Sequence, residues 1–291
     1  MEYIPTAFEV WKWLYRPPAG TTLEAVISSL ENSVWLQERL ETVDGHWGLK
    51  DGNSERRVVE RRRRYVDALR KMKRVRRATW WFRLFPWIES VAVGNTLAWW
   101  NTKPESDIDL VIVCRPGTIW LTRLVCVTPF ALLGWRPNPA ATQPPQDPVC
   151  FSFFLSTDRL AISDVRLTPT DPYLAYWIRS LIPVLDRNNT FKQLQDQNAW
   201  ADDELPHTQP RAAHPTIAVK PTRWMFPNGL THFESSAKHF QFKRLPHTIR
   251  EMMNQDTRVV VTDQMLKFHD QDRRAELRDR WHQMYDSSEI R

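Results

Sequence analysis

The 291-residue sequence has little cysteine and little glycine, and both shortages exclude classes of protein. Its three cysteines, Cys114, Cys126 and Cys150, are too few and too odd in number for a disulfide framework. They also lack the paired spacing of a structural zinc site, so we expect a reducing compartment. Eight glycines against 21 prolines argue against glycine-rich repeats and collagen-like sequence.

Long apolar runs are missing as well, which argues against a membrane protein. The most apolar stretch, Thr118 to Trp135, contains Arg123 and Pro129 and barely reaches the length of a membrane span. We interpret it as a covered amphipathic helix. The first ten residues contain Glu2 and no basic segment, so no signal peptide is predicted. These absences predict a cytoplasmic protein without a membrane partner, and the sequence predicts no particular oligomeric state.

The charge of the chain is concentrated in one segment. Residues 55–77 contain twelve lysines and arginines and three acids, a local charge of +9, whereas the remainder carries −3. The apolar fraction of 42% and the fifteen tryptophans show that the chain can bury a core, so this basic segment is not part of a disordered protein. A basic segment on an otherwise slightly acidic chain indicates a phosphate-rich partner.

The first 53 residues predict a winged-helix-like module of three short helices and a hairpin. Capping boxes that begin at Thr6 and Thr21 open the first two helices, and Asn32 or Ser33 can cap the third. Two Asp-Gly steps, at 44–45 and 51–52, then bracket a short alternating strand. Four tryptophans are expected to supply much of the core of this module: Trp11, Trp13, Trp35 and Trp47.

Residues 54–85 predict a single basic connecting helix, because they contain neither glycine nor proline and their apolar residues recur at helical spacing. That apolar stripe includes Tyr65 and Leu69. A solvated face on a connecting helix is one explanation of the bases. Their mutual repulsion favours contact with a nucleic acid instead. The bases expected to make this contact are Arg61, Arg62, Arg63, Arg64, Lys71, Lys73 and Arg74.

The rest of the chain predicts a core at 86–187, a polar, proline-containing linker at 188–222 and a helical C-terminal region at 223–291. The core begins with a βαβ-like stretch, in which strands at 90–93 and 108–114 flank a short helix, and continues with a strand at 149–155. Asp171 and Pro172 predict the start of a later helix. A final helical region is expected to include residues 262–285, with Lys267 on it.

Two aspartates at the start of a predicted strand are the clearest sign of chemistry. Asp107 and Asp109 lie on one face of the strand because side chains alternate. A divalent cation is a natural reason to keep two carboxylates together. Gly94 follows the preceding strand where a helix begins, and a residue without Cβ lets the backbone approach a phosphate. One strand therefore offers phosphate-binding amides, and the next offers metal ligands.

This pattern resembles the nucleotidyltransferase superfamily related to DNA polymerase beta, whose signature is a glycine followed by Gly or Ser and, further on, Asp-x-Asp between apolar residues. Here Gly94-Asn95 precedes Asp107-Ile108-Asp109, with eleven residues between Asn95 and Asp107. The resemblance covers roughly residues 86–186. It implies an α+β protein with a small mixed sheet flanked by helices. It also implies transfer of a nucleotidyl group from a nucleoside triphosphate by two Mg²⁺ or Mn²⁺ ions.

The resemblance assigns the metals to Asp107 and Asp109 and the triphosphate to Gly94, Asn95 and Ser106. Asn95 stands where the family has Ser or Gly, which is a mild departure.

The third carboxylate of the family is harder to place, because the strand at 149–155 contains no acid. Asp147, Asp158 and Asp164 flank it, and Asp164 is our choice as the third catalytic acid.

Three functions remain open. The first is a metal-dependent nucleotidyltransferase that acts on an unidentified acceptor, such as RNA, tRNA or a protein hydroxyl. The second is a nucleic-acid-binding regulator with a degenerate nucleotidyltransferase fold, which the missing third acid favours. The third is a defence or toxin–antitoxin component, a role in which small members of the superfamily often serve.

Overall fold

The computed structural model describes residues 3–137, 145–222 and 225–289, without the side chains of 285–289. The first part forms three short helices and a hairpin, in the predicted order. Their bounds are α1 (Ala7–Lys12), α2 (Leu23–Asn32), α3 (Val34–Gln37), β1 (Leu40–Val43) and β2 (His46–Leu49). The Thr6 capping box is present, and Ser33 caps α3, but α2 is capped by Thr22 rather than Thr21. Asp44 and Gly45 form the hairpin turn, both with positive φ, as a two-residue turn between antiparallel strands requires.

Of the four tryptophans predicted to supply the core of this module, Trp47 lines its interior beside Ile4 and Leu30, but Trp11, Trp13 and Trp35 do not. Trp35 is 51% exposed. Trp11 stacks on His207 with 4.6 Å between the ring centroids, and Trp13 lies 4.3 Å from Trp99. These rings join the first helix to the rest of the protein. The buried apolar residues of the module are Ile4, Val26 and Leu30.

The basic segment forms one long helix, α4 (Ser54–Phe82). Its buried side chains include Ala68, Met72 and Val75, which recur at helical spacing and face the central sheet. Tyr65 and Leu69 lie beyond the edge of this arc and are 48% and 41% exposed, so the predicted apolar stripe is only partly covered.

A six-stranded mixed sheet forms the centre of the protein, in the order β6-β3-β4-β5-β8-β7. Its strands are β3 (Ile88–Val93), β4 (Ile108–Cys114), β5 (Val149–Ser156), β6 (Ile182–Asp186), β7 (Val259–Val261) and β8 (Met265–Phe268). β4 and β5 pair in parallel, and the other neighbours pair antiparallel. The stretch predicted as βαβ-like is therefore an antiparallel pair, β3–β4, joined through the single turn α5 (Asn95–Ala98).

Both faces of the sheet are covered, which makes the fold a mixed α and β architecture. On one face, Leu110 and Ile112 pack with α4 and with two further helices, α6 (Ile119–Leu132) and α10 (Glu234–Phe242). On the other face, Val111 and Val113 pack under α7 (Pro172–Ser180), α8 (Thr190–Asp196) and α9 (Trp200–Glu204). Asp171 caps α7 as predicted, since its side chain accepts a hydrogen bond from the amide of Leu174. The apolar stretch forms α6, and no helix in the described residues is long and apolar enough to cross a membrane.

Two segments differ from their predictions. Residues 188–222, predicted as a linker, contain α8 and α9 and pack closely, with Asn198 buried and its side-chain amide bonded to the Leu160 carbonyl at 2.8 Å. The C-terminal region is helical at α10, at α11 (His247–Met252) and at α12 (Arg274–Glu289), but two strands lie between α11 and α12. Lys267 accordingly lies in β8 rather than on a helix, because β8 completes the sheet beside β5.

Candidate functional site

The carboxylate pair lies where β4 begins, beside the end of β3. The amide of Gly94 donates to the carbonyl oxygen of Asp109 at 3.1 Å, so the two strand ends meet at this point. Asp107 and Asp109 are both partly exposed. Burial raises the pKa of Asp109 to about 6, and the charge of Asp107 raises it further, against opposing contacts from Asn95 and Cys150.

The pair carries more negative charge than its surroundings compensate. Neither Asp107 nor Asp109 forms a salt bridge with any residue in the described ranges. The charge of Lys71 acts on Asp107 from a distance, yet burial still raises the pKa of Asp107. Two adjacent carboxylates with raised pKa and no salt-bridge partner are more typical of a functional site than of a structural ion pair.

Lys71, on α4, holds the loop that carries Asp107. Its side chain is fully buried, and its ammonium group donates to the carbonyl oxygens of Lys103, of Pro104 at 3.3 Å and of Ser106 at 2.7 Å. It also pairs with Asp67 at 3.3 Å. Lys71 was predicted to contact nucleic acid, but the structure uses its charge inside the protein.

The predicted phosphate-binding turn differs in detail from expectation. Gly94 has φ −120°, which any residue adopts, so its missing Cβ serves packing: a Cβ there would lie 3.2 Å from Nε1 of Trp177. Asn95 has φ +51°, a left-handed conformation that asparagine tolerates well. The Ser106 hydroxyl accepts a bond from the amide of Lys103 and so closes a turn. Asn95 is therefore the side chain of this turn that reaches the carboxylate pair.

Opposite Asp109, the neighbouring strand presents a cysteine. Cys150 pairs with Asp109 in the parallel ladder, and Val111 then pairs with Phe153, so β5 contains one extra residue between these pairs. Strict alternation along β5 is broken at this bulge, and Phe153 faces the same core as Val111. Burial raises the pKa of Cys150 to about 12, and its sulfur is a soft donor that suits Mg²⁺ or Mn²⁺ less well than a carboxylate does.

The structure does not bring Asp164 to the carboxylate pair. Its carboxylate is 59% exposed and pairs with Arg159 in a short turn at Ser163–Val165. Asp147 is buried and pairs with Arg70, while Asp158 accepts a hydrogen bond from Gln264 at 2.9 Å. In the part of the chain that the structure describes, no three His, Cys, Asp or Glu side chains come together as a metal site.

Sequence reasoning missed the residues that line the space beside Asn95. A cavity of about 270 Å³ there is bounded by Tyr173 and Trp177 of α7 and by Lys267 and His269 from the end of β8. Burial lowers the pKa of Lys267 to about 8 and that of His269 to about 4. A second cavity of about 310 Å³ on the other side of Asn95 is lined mainly by rings: Tyr3, Trp99, Tyr173, Tyr176 and Trp177. One signal could have predicted a strand near His269, namely the run of β-branched residues at 259–261.

Most of the bases predicted to contact nucleic acid have partners within the protein. Arg61 donates to Glu9 at 2.7 Å and to the carbonyl oxygen of Ile4. Others pair as follows: Arg62 with Asp44 at 2.8 Å, buried Arg64 with Glu60 at 2.9 Å, and Arg74 with the Gln146 carbonyl at 2.8 Å. Arg63 and Lys73 are exposed and have no partner among the described residues. The local charge of the helix is thus partly neutralised by the fold itself.

Comparisons with known proteins add no identification. No protein-family model matches the chain, and neither a search of curated proteins nor a search of solved structures finds a match.

Proposed function

We propose that the protein is a metal-dependent nucleotidyltransferase that binds a nucleoside triphosphate between β3 and β4. The observation that carries the proposal is the uncompensated pair of Asp107 and Asp109, with Asn95 in contact with it. This pattern of residues resembles the DNA polymerase beta superfamily, and the antiparallel β3–β4 pair brings the two halves of the pattern together.

The donor set fits a divalent cation. Mg²⁺ is usually held by one or two carboxylates together with substrate phosphates and water, and Asp107 and Asp109 supply two carboxylates. Mg²⁺ or Mn²⁺ bound there would neutralise the triphosphate and stabilise the charge that develops during transfer. With Cys150 opposite Asp109, the residues present suit one tightly held ion better than the two expected from the resemblance.

The chain itself would orient the nucleotide. The Asn95 side chain lies against Asp109 and accepts a bond from the Tyr173 hydroxyl at 3.4 Å, and a triphosphate bound at the carboxylate pair would contact it there. The ring-lined cavity on one side of Asn95 offers faces on which a base can stack, chiefly Trp99 and Trp177. On the other side, Lys267 and the neutral His269 bound the second cavity.

One observation favours a second function. The resemblance implies a third acid on a strand adjacent to β4, and the adjacent strand β5 carries Cys150, not an acid, across from Asp109. A nucleic-acid-binding regulator with a degenerate transferase fold would tolerate this cysteine, because it needs no metal-dependent chemistry.

The test compares four proteins: the wild type, Asp109→Asn, Asp164→Asn and Cys150→Asp. Mn²⁺ binding is measured by titration, and transfer is measured with each labelled nucleoside triphosphate, total RNA and Mg²⁺ or Mn²⁺. We expect the wild type and Asp164→Asn to bind Mn²⁺ and to transfer the label, and Asp109→Asn to lose roughly 100-fold or more, since each carboxylate-held ion contributes several kcal/mol. Asp164→Asn is the matched control because its carboxylate is exposed and paired with Arg159.

The outcome that rejects the enzyme is a wild type that binds neither Mn²⁺ nor a triphosphate. If Cys150→Asp then gains Mn²⁺ binding, the degenerate-fold alternative is the better account, because the missing ligand alone explains the loss.

A further inference from the structure

One side of α4 carries aromatic, lysine and arginine side chains along a single line. We call the five residues Tyr65, Leu69, Lys73, Arg76 and Trp80 the stripe. They are spaced about one helical turn apart and lie just beyond the buried arc of the helix, and all of them are exposed. Tyr65 and Trp80 are each 48% exposed. From Tyr65 to Trp80 the stripe extends about 22 Å along the helix axis.

The stripe forms one wall of a groove. The groove has a volume of about 610 Å³, and its opposite wall is formed by Trp100 and by the segment that contains His214 and Ile217. The rings of Tyr65 and Trp100 lie 5.6 Å apart. At the other end, the guanidinium of Arg83 lies 3.5 Å from the centroid of the Trp80 ring and adds a positive charge there. Exposed rings therefore stand at both ends of the groove.

The lysine and arginines of the groove have no acidic partner among the described residues, unlike several other arginines of α4. Lys73, Arg76 and Arg77 line the groove and are exposed, and no carboxylate in the described ranges pairs with them. Arg57 and Arg62, on the same helix, pair with Asp51 and Asp44. Among the described residues, no acid lines the groove. Its charge is therefore not compensated by the described part of the protein.

We propose that this groove binds a single-stranded nucleic acid, whose bases stack on Tyr65, Trp80 and Trp100 and whose phosphates contact Lys73, Arg76 and Arg77. A positively charged groove combined with exposed aromatic side chains is the feature by which proteins hold single strands. A duplex keeps its bases stacked and paired, so it cannot use the ring faces. An acidic peptide matches the charge but has no repeated flat rings for the three aromatic side chains.

This inference deepens the proposed function, since the bound strand would be the acceptor, but binding itself needs neither metal nor triphosphate. The experiment therefore measures anisotropy of a fluorescein-labelled oligouridine of roughly ten nucleotides, in EDTA, over a series of salt concentrations. The same strand annealed to its complement and a polyglutamate chain serve as competitors. A protein that transfers no nucleotide can still bind the strand in this assay, so failure of one proposal is distinguishable from failure of the other.

The variants are matched in pairs. Lys73→Gln/Arg76→Gln removes two charges from the stripe. Arg56→Gln/Arg63→Gln removes two exposed charges that have no partner among the described residues and lie about 130° around the helix axis from the stripe. For stacking, Trp80→Ala is compared with Trp35→Ala. Both rings are about half exposed and lie under an arginine, but Trp35 belongs to the N-terminal module.

We expect the wild type to bind the single strand, and the stripe double variant to flatten the log–log salt slope by about 1.4, or about 0.7 per lost phosphate contact. Trp80→Ala should weaken binding roughly 5- to 140-fold, whereas both control variants should bind as the wild type does. The proposal is overturned if the wild type does not bind, or if the duplex or polyglutamate competes as well as unlabelled single strand. It is equally overturned if the control variants lose as much affinity as the stripe variants.

Discussion

Lys71 and Lys73 lie two residues apart on α4, and exchanging each for methionine should have opposite consequences. Lys71 is fully buried, and its ammonium group donates to the carbonyl oxygens of Lys103, Pro104 and Ser106. Methionine fills a similar volume but donates nothing, so those carbonyls and the carboxylate of Asp67 lose a charged partner. Removing one member of a buried ion pair costs about 3–5 kcal/mol.

That loss is a large share of the free energy of unfolding of a domain, which is roughly 5–15 kcal/mol. We therefore expect Lys71→Met to lower the urea midpoint strongly, as followed by circular dichroism. Lys73 is exposed and unpaired within the described residues, so Lys73→Met should stay within about 0.5 kcal/mol of the wild type. The oligouridine assay reverses the order: Lys73→Met weakens binding, and folded Lys71→Met does not.

This reasoning is refuted if Lys71→Met costs less than about 1 kcal/mol, which is the size of an ordinary substitution. It is also refuted if the two variants are equally destabilised, since position on the helix rather than the buried contacts would then explain the effect.

Three further predictions concern the site and its supports. Because burial raises the pKa of Asp109 from 3.8 to about 6, the wild type in EDTA should lose stability as pH rises from about 4 to about 6, and Asp109→Asn should lack this slope in urea melts. Asp171→Asn keeps a side chain that can cap α7 but removes the charge that pairs with buried Arg274 at 2.7 Å, so calorimetry should show a loss of about 3 kcal/mol. Gly94→Ala places a Cβ about 3.2 Å from the Trp177 indole and should cost about 1–3 kcal/mol in urea melts, whereas adding Trp177→Phe should recover part of this.

The sequence predicts well what depends on neighbouring residues. The long helix α4 lacks glycine and proline over its whole length, and the Thr6 capping box needs only four residues to form. The strand that carries Asp109 follows from its short apolar run and from its β-branched residues. In each of these cases the signal and the structure occupy the same short segment.

Features that depend on distant partners could not be predicted in this way. Lys71 looks like any other base of its helix until the loop at 103–106 is folded against it. Cys150 and Phe153 lie on the same side of β5 because of a bulge, and a strict period of two places them on opposite sides. Lys267 lies in a strand because β8 pairs with β5, a contact between segments far apart in the sequence. The polar residues that follow Lys267 favour a helix.

The position of β8 has a consequence for how the chain is made. β5 ends at Ser156, and β7, the first of the two strands that complete this side of the sheet, begins at Val259, about 100 residues later. At a synthesis rate of ~5–20 residues per second, roughly 5–20 s pass before these strands emerge. During that interval the edge of β5, which includes Phe153 and Phe154, has no partner, and an unpaired apolar edge is a site of aggregation. Chains truncated before residue 259 should therefore need a chaperone to remain dispersed, whereas the full chain covers this edge with its own strand β8.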